Sequence, residues 1–167
     1  KTPFPAGQAF ELSYDLTFSK TGTTGTAAVW GFYLQREGSS PTMAHVQDNG
    51  TGEITLKNTP GYGIGVSTYG NKPYFWEGMG GKTTAPIVKD FESQSIAIVK
   101  DIPNRVTIRH DGCGTLSLRF ESNGKTAEGS HFFEGLLHET KPMYLTFATG
   151  TAWADCGTIK ISNLSFV

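Results

Sequence analysis

The chain has 167 residues, of which 37% are apolar, 12% aromatic and 17% charged, and its formal net charge is −1. A chain of this length supports one hydrophobic core, so we expect a single domain over residues 1–167. The aromatic content argues against disorder, and the scattered basic residues argue against nucleic acid as a partner. We expect no membrane insertion, because no apolar run reaches the roughly 20 residues of a spanning helix. The opening Lys1-Thr2-Pro3, without a charged and apolar leader, is typical of a mature or excised segment.

Alternation of apolar and polar residues at every second position is the main pattern in the chain. It begins with Phe10, Leu12, Tyr14, Leu16 and Phe18, which are separated by Glu11, Ser13, Asp15 and Thr17. This period predicts a strand with one buried and one wet face. Further strands are predicted over residues 27–35, 44–47, 53–56, 62–68, 95–100, 105–110, 115–121, 143–149 and 158–167. The run over 27–35 is apolar on both faces, which indicates a central strand.

Turn signals separate these strands. Asn49-Gly50 predicts a hairpin turn, and Asp111-Gly112-Cys113-Gly114 joins the two clearest alternating runs. A change of phase at Ser162-Asn163 indicates a bulge in the last strand. Residues 69–88 are rich in Gly and Pro and are read as a long irregular loop, while residues 132–138 favour one short helical turn.

The number of strands and their regular spacing predict an all-β fold. Two antiparallel sheets packed as a jelly-roll sandwich account for short strands with turns at these intervals. No internal repeat of 20 to 50 residues is visible, which argues against a propeller or a solenoid.

Cys113 and Cys156 are the two cysteines of the chain. We expect a disulfide between them, which would close a long loop and stabilise the fold by at most roughly 4 kcal/mol in the chain-entropy model. The alternative is two unrelated buried thiols. A zinc site is not expected, because no second pair of Cys or His residues has the required spacing.

No motif for catalysis, metal or cofactor binding is present. Glu11 and Asp15 share one face of the first strand, as paired carboxylates of a glycosidase can do, but acidic residues on a wet face usually serve solvation. His45, His110, His131 and His138 lack metal-ligand spacing, and no nucleophile elbow precedes a helix. We therefore favour a protein that is not an enzyme and expect no cofactor or metal.

Aromatic and polar residues in irregular sequence form the candidate ligand-binding site. Sugars stack on aromatic rings while amide and carboxylate groups bind their hydroxyls, and loops on a rigid sheet carry such sites. The candidate residues are Tyr69, Asn71, Tyr74, Trp76, Glu77, Trp153 and Asp155. The alternative is that these aromatics close the ends of the sandwich.

Arg109 and Arg119 form a second polar cluster, on the outward phase of the central hairpin. Thr107, Ser117 and Glu121 lie beside them in the same phase. Cross-strand ion pairs on a wet face explain the pattern, and the alternative is a polar groove floor for an oligosaccharide.

With the strands placed, the chain resembles the concanavalin A-like lectin and glucanase superfamily, including L-type lectin-like and laminin G-like domains. The resemblance lies in residues 9–18, the hairpin over 105–121 and the closing run over 157–166. It implies a jelly-roll of two curved antiparallel sheets and, commonly, carbohydrate binding. Three motifs of this superfamily are not found: the E-x-D-x-x-E strand motif of the glucanases, the acidic metal-binding strand of the legume lectins and the binding set of the galectins. The resemblance therefore implies no calcium site.

The leading hypothesis is a secreted or cell-surface carbohydrate-binding domain, which is lectin-like and recognises a glycan or polysaccharide through loop aromatics. A second hypothesis is an adhesion or self-association module with protein, or a second copy of this chain, as its partner. A third is a polysaccharide-degrading enzyme on the same fold. If the protein is secreted from a eukaryote, Asn49 and Asn163 are glycosylation sequons, and Asn163 is the poorer acceptor because it lies in a strand.

Overall fold

The computed structural model describes residues 4–21, 27–35, 42–46, 53–57, 61–67, 72–78, 99, 101–152 and 156–167. These residues form eleven strands and one short helical turn. The strands are β1 (Phe10–Thr21), β2 (Ala27–Gln35), β3 (Thr42–Val46), β4 (Glu53–Lys57), β5 (Gly61–Ser67), β6 (Lys72–Gly78), β7 (Pro103–His110), β8 (Thr115–Ser122), β9 (Lys125–Phe132), β10 (Tyr144–Ala152) and β11 (Cys156–Phe166). The helical turn α1 (Glu134–Leu137) confirms the short helix expected over 132–138.

Antiparallel pairing joins the strands into two main sheets and a hairpin. The five-stranded sheet has the order β11-β1-β7-β8-β9, and the four-stranded sheet has the order β10-β2-β5-β6. Among the described residues β3 pairs only with β4, in the hairpin that the sequence predicts. β2 lies between β10 and β5, which confirms that the strand with two apolar faces is a central one.

The core lies between the two main sheets. The alternating apolar residues of β1 are all buried, as their period predicts, and Val106, Ile108 and Leu118 continue this layer across β7 and β8. The four-stranded sheet contributes Phe32, Leu34, Ile64 and Phe75 to the same cluster. One continuous core between two sheets confirms the all-β sandwich.

Polar side chains fix the β7–β8 turn. Asp111 Oδ1 accepts hydrogen bonds from the backbone N–H groups of Cys113 at 2.7 Å and Thr115 at 2.9 Å. Gly112 and Gly114 take φ angles of +78° and +94°, which residues with a side chain rarely adopt. The predicted turn is confirmed, and its polar groups explain why a tight four-residue connection forms here.

A bulge interrupts the pairing of β1 with β11. Ser13 faces Ser165 while Asp15 faces Ser162, so β11 has one residue more than β1 across this step. Asn163 has a φ of +52° there, a left-handed conformation that asparagine tolerates. The bulge expected at Ser162-Asn163 is therefore confirmed.

The long irregular loop expected over 69–88 is wrong for residues 72–78. These residues form β6, the last strand of the four-stranded sheet, and Phe75 is completely buried. Pro73 misled the prediction, because proline interrupts a central strand but is tolerated in an edge strand, and in the described part of the chain β6 is at the edge of its sheet. Tyr74 and Trp76 are thus strand residues, paired with Gly65 and Gly63, rather than loop residues.

The expected disulfide is also wrong, because its two cysteines belong to opposite ends of β1. Thr21 at one end of β1 pairs with Cys156, whereas Phe10 at the other end pairs with His110, three residues before Cys113. The 12 residues of β1 span about 36 Å, and a disulfide requires Cα atoms within about 7 Å. Cys113 is a free, exposed thiol.

Other predictions fall elsewhere in the chain. The Asn49-Gly50 turn lies outside the described residues, as does the strand over 95–100 except for Val99, which is not in a strand. In the part that is described, no helix is long and apolar enough to cross a membrane.

Candidate functional site

The outer face of the five-stranded sheet is a lattice of polar side chains. Strand alternation turns the residues between the buried ones outward, and the antiparallel register aligns them in rows across the sheet. One row consists of Glu11, Arg109, Ser117 and Ser130, from β1, β7, β8 and β9. The next row consists of Ser13, Thr107, Arg119 and Glu128. We call these two rows the polar lattice.

Two adjoining depressions lie over the polar lattice. The first has a volume of about 300 Å³, and its polar lining includes Thr107, Arg109, Ser117, Arg119, Glu128 and Ser130. The second has a volume of about 430 Å³ and extends past Glu11 towards the β7–β8 turn. Arg109 and Ser117 line both, so the two form one groove of a size typical of small-ligand sites.

Ion pairs hold the arginines of the groove in place. Arg109 donates from Nε to Glu11 Oε2 at 2.7 Å. Arg119 contacts Glu121 Oε1 at 2.6 Å and Glu128 Oε1 at 2.9 Å. Its hydrogen bond to Glu121, with the charges of both carboxylates, raises the pKa of the Arg119 guanidinium. The ion pairs expected from the sequence are therefore present, and they position Glu128 at the groove wall.

Several polar atoms of the groove have no partner within the described part of the chain. The hydroxyls of Thr107, Ser117 and Ser130 make no hydrogen bond there, and Arg109 uses only its Nε. Its two terminal NH₂ groups are left to donate, on a side chain that is 62% exposed. Fixed donors and rotatable hydroxyls in one depression are suited to a ligand with many hydroxyl groups.

Asp15 lies one row away from the polar lattice, in a cluster that Arg105 connects to the lattice through a 2.8 Å hydrogen bond to the Ser13 hydroxyl. Asn163 Nδ2 donates to its Oδ2 at 2.6 Å, and Arg105 donates to its Oδ1 at 3.1 Å. The Asn163 hydrogen bond, with a smaller contribution from Arg105, holds the pKa of Asp15 below its usual value. A glycosidase acid needs a raised pKa, so the cluster does not have the electrostatics of that role.

The structure describes only some of the site residues that the sequence predicts. Glu77 is a half-buried residue of β6 whose Oε1 lies beside Gly135 of α1, next to the Tyr62 hydroxyl. Tyr74 and Trp76 share β6 with it. Tyr69, Asn71, Trp153 and Asp155 lie outside the described residues, so their proposed role stays a prediction.

Sequence reasoning missed β9 and with it one wall of the groove. The inward positions of β9 are Ala127, Gly129 and His131, which lack the large aliphatic residues that mark a strand. The usable signal was the Asn123-Gly124 turn, where φ angles of +48° and +74° match a two-residue hairpin and require a returning strand.

The described histidines do not form a metal site. His131 packs against the rings of Phe75 and Phe133, and His110 is buried with Nδ1 3.0 Å from the Gln8 carbonyl oxygen. In the parts of the chain that the structure covers, no three His, Cys, Asp or Glu residues come together as ligands.

Comparison with solved structures identifies the fold. A lectin UEA-II in complex with galactose matches with a TM-score of 0.62 and 12% identity, over 99% of this chain and 77% of that chain. Lectin II from Ulex europaeus matches with a TM-score of 0.64 and 11% identity over the same shares. Peanut lectin with a 9-residue peptide has a TM-score of 0.61 and 13% identity, over 95% and 70%.

The chain has the concanavalin A-like fold. Its sandwich resembles that of the legume lectins, as the strand pattern of the sequence implies. No protein-family model and no curated protein matches the sequence. At 11–13% identity the likeness establishes the fold alone, and the ligand has to be argued from the residues of this chain.

Proposed function

We propose that the chain is a carbohydrate-binding domain. The observation that carries the proposal is the groove of the polar lattice, where Arg109 N–H groups meet three hydroxyls that have no hydrogen-bond partner among the described residues. Each of these groups can exchange a water molecule for a sugar hydroxyl, and the Glu11 pair holds the guanidinium in place beforehand. The fold supports this function by analogy, because the three matched structures are lectins and one of them is in complex with galactose.

The aromatic residues of the loops belong to the same proposal. We propose that Tyr69, Asn71, Tyr74, Trp76, Glu77, Trp153 and Asp155 contribute to glycan binding. The alternation of β6 supports a partial grouping: Tyr74 and Trp76 are two positions apart and so share one face of the four-stranded sheet, whereas Glu77 is in phase with the buried Phe75. No cofactor is part of the proposal.

We propose a secreted or cell-surface location, where a glycan receptor meets its ligand. If the protein is secreted from a eukaryote, Asn49 is the better glycosylation acceptor of the two sequons. The Asn163 amide is bound to Asp15 at the bulge, so a transferase would have to break that hydrogen bond.

The experiment is a glycan array followed by calorimetric titration of any ligand found. We expect saturable binding that the buffer components do not inhibit. The free sugar should inhibit it by competition. Trp76→Ala and Trp153→Ala test the loop residues, and Arg109→Met tests the groove. Absence of binding to every glycan and polysaccharide would contradict the proposal, whereas binding unchanged in all three variants would contradict the site assignment.

Self-association is a second candidate function, favoured by the free edge of β11. This strand pairs only with β1 within the described chain, and Leu164 and Phe166 are 57% and 48% exposed on it. An open strand edge with apolar side chains can pair with another chain. Sedimentation velocity over a hundredfold concentration range tests it. A monomer at every concentration, with or without sugar, would contradict this candidate.

A further inference from the structure

An exposed aromatic ring lies on the outer face beside the groove, in the strand that the sequence does not reveal; it flanks the two depressions without lining either. Phe132 is the last residue of β9 and is 50% exposed. It is two positions beyond Ser130, so both side chains are on the outer face, about 7 Å apart along the strand. Phe132 faces Thr115 across the sheet, and Thr115 lines the second depression.

This ring is not needed by the core. Its neighbours Phe133 and His131 pack inward against each other and against Phe75, and Phe133 is 1% exposed. Phe132 makes no ring contact with any described residue. A half-exposed phenylalanine beside hydroxyl groups combines an apolar platform with hydrogen-bonding groups, and a pyranose ring has an apolar C–H face and polar edges.

The charges of the same face restrict the ligand further. Each of the three arginines, Arg105, Arg109 and Arg119, is paired with at least one carboxylate. The carboxylates of these pairs are Asp15, Glu11, Glu121 and Glu128, one more than the guanidinium groups. A polyanion would therefore find no excess positive charge and would approach the carboxylate of Glu128 at the groove wall.

We infer that the groove binds a neutral oligosaccharide, with one sugar stacked on Phe132 and its neighbours hydrogen-bonded to Ser130, Ser117 and Arg109. This inference rests on the proposed function and assigns it a ligand class and a stacking residue. The sugar chain runs from β9 towards β7, across the strands, because the depressions adjoin in that direction.

The test is binding of the whole chain to polysaccharides by affinity electrophoresis and calorimetry. The neutral probes are laminarin, galactomannan, xyloglucan and dextran, and the anionic probes are alginate and heparin. We expect binding to at least one neutral probe that changes less than twofold between 50 mM and 500 mM NaCl, since no counterions are released. Tighter binding to an anionic probe, lost at high salt, would overturn the charge argument.

Phe132→Ala should weaken neutral binding about tenfold or more, because the stacked ring is lost. Phe132→Tyr should retain binding, since it keeps the ring. Leu137→Ala is the matched control, because Leu137 is similarly exposed at 45% but belongs to α1 rather than to the groove. Melting temperatures of the variants show whether each is folded.

The outcomes separate the inference from the proposal on which it rests. Binding that Phe132→Ala and Arg109→Met leave unchanged, but that Trp76→Ala or Trp153→Ala abolishes, overturns the groove and preserves the carbohydrate function. No binding to any probe overturns both.

Discussion

Asn104 shows how one buried polar residue organises the start of β7. It is completely buried, and its Nδ2 lies 3.0–3.1 Å from the carbonyl oxygens of Leu16, Val99 and Ile102. Its Oδ1 accepts a hydrogen bond from the Ser122 hydroxyl at 2.5 Å. One side chain thus connects β1, β8 and the backbone that precedes β7, where burial without these partners would be costly.

Asn104→Ala should lower the free energy of unfolding by about 2–3 kcal/mol, because buried carbonyl groups and the Ser122 hydroxyl lose their partner. Urea denaturation measures the loss. Ser122→Ala and the double variant complete a cycle, in which we expect the double variant to be less destabilised than the sum of the single ones. A loss below about 0.5 kcal/mol for Asn104→Ala would contradict the assignment.

Asp15 makes stability dependent on pH. Asn163 and Arg105 lower the pKa of Asp15 in the folded chain. The ionised carboxylate is therefore more stable in the folded state than in the unfolded state. This contribution to the free energy of unfolding is fully present above the pKa of Asp15 in the unfolded chain, which is about 4. It is lost as the pH falls through the pKa in the folded chain. Asp15→Asn should therefore flatten the decline in unfolding free energy between about pH 5 and pH 2.

The pKa of Asp111 is also lowered in the folded chain, as that of Asp15 is. Burial raises the pKa of its carboxyl group, but hydrogen bonds from Thr115 and Cys113 outweigh burial and lower the pKa overall. Asp111 therefore contributes in the same direction and remains in Asp15→Asn, so the slope should decrease without vanishing. An unchanged acid profile in Asp15→Asn, measured by denaturant titration at each pH, would contradict the role of the Asn163 pair.

At the scale of elements, hairpin turns set the register of the polar lattice. Asn123 and Gly124 both have positive φ, and Ser122 then pairs with Lys125, which fixes Arg119 opposite Glu128. A shift by one residue would turn the outer row inward. The groove therefore depends on a turn about five residues away from it.

Gly124→Ala should cost about 1 kcal/mol, because alanine is strained at a φ of +74° while an added Cβ meets no atom within 4 Å. Gly124→Asn is the matched control and should cost less, since asparagine tolerates this conformation. Gly112→Ala should cost more than either, because its Cβ would lie 2.9 Å from the Gly7 carbonyl oxygen. Melting temperatures in any other order would contradict the turn assignment.

The same scale explains what the sequence could predict. β1, β7 and β8 were readable because large apolar residues alternate in them, and the Asn163 bulge was readable as a break in that alternation. β9 has small inward residues and β6 contains Pro73, so neither has a clear period. Edge strands need less apolar surface than central ones, which makes their patterns weak.

The sequence predicted only some of the residues of the candidate site. Alternation placed four of the groove residues on one wet face: Arg109, Arg119, Thr107 and Ser117. From that pattern a groove floor was the alternative to simple cross-strand ion pairs. Glu128, Ser130 and Phe132 were missed with β9. A groove between strands depends on pairing partners that are distant in sequence, and periodicity within one strand does not supply them.

At the scale of the whole molecule, there are two candidate positions for the proposed glycan. The polar lattice covers the outer face of the five-stranded sheet, whereas the predicted loop residues belong to β6 and to segments outside the described chain. The core between the sheets supports the lattice, since it holds β7, β8 and β9 together. A rigid sheet places side chains more accurately than a loop does, which favours the groove for an extended ligand.

The position of the cysteines tests the arrangement of the whole sandwich. β1 separates the partners of Cys113 and Cys156 by its full length, so no bond between the two sulfurs should form. We expect the native protein to react with a maleimide at Cys113, which is exposed. After unfolding in guanidinium without reductant, alkylation should add two adducts by mass, as it does with reductant.

A Cys113–Cys156 bond would instead block both reactions, and its reduction would lower the unfolding free energy by roughly 4 kcal/mol. Cys113→Ser should leave the melting temperature unchanged, because the Cys113 backbone N–H, rather than its thiol, binds Asp111. Such a bond, found by peptide mapping, would place opposite ends of β1 within about 7 Å of each other and would contradict the register of β11 on β1.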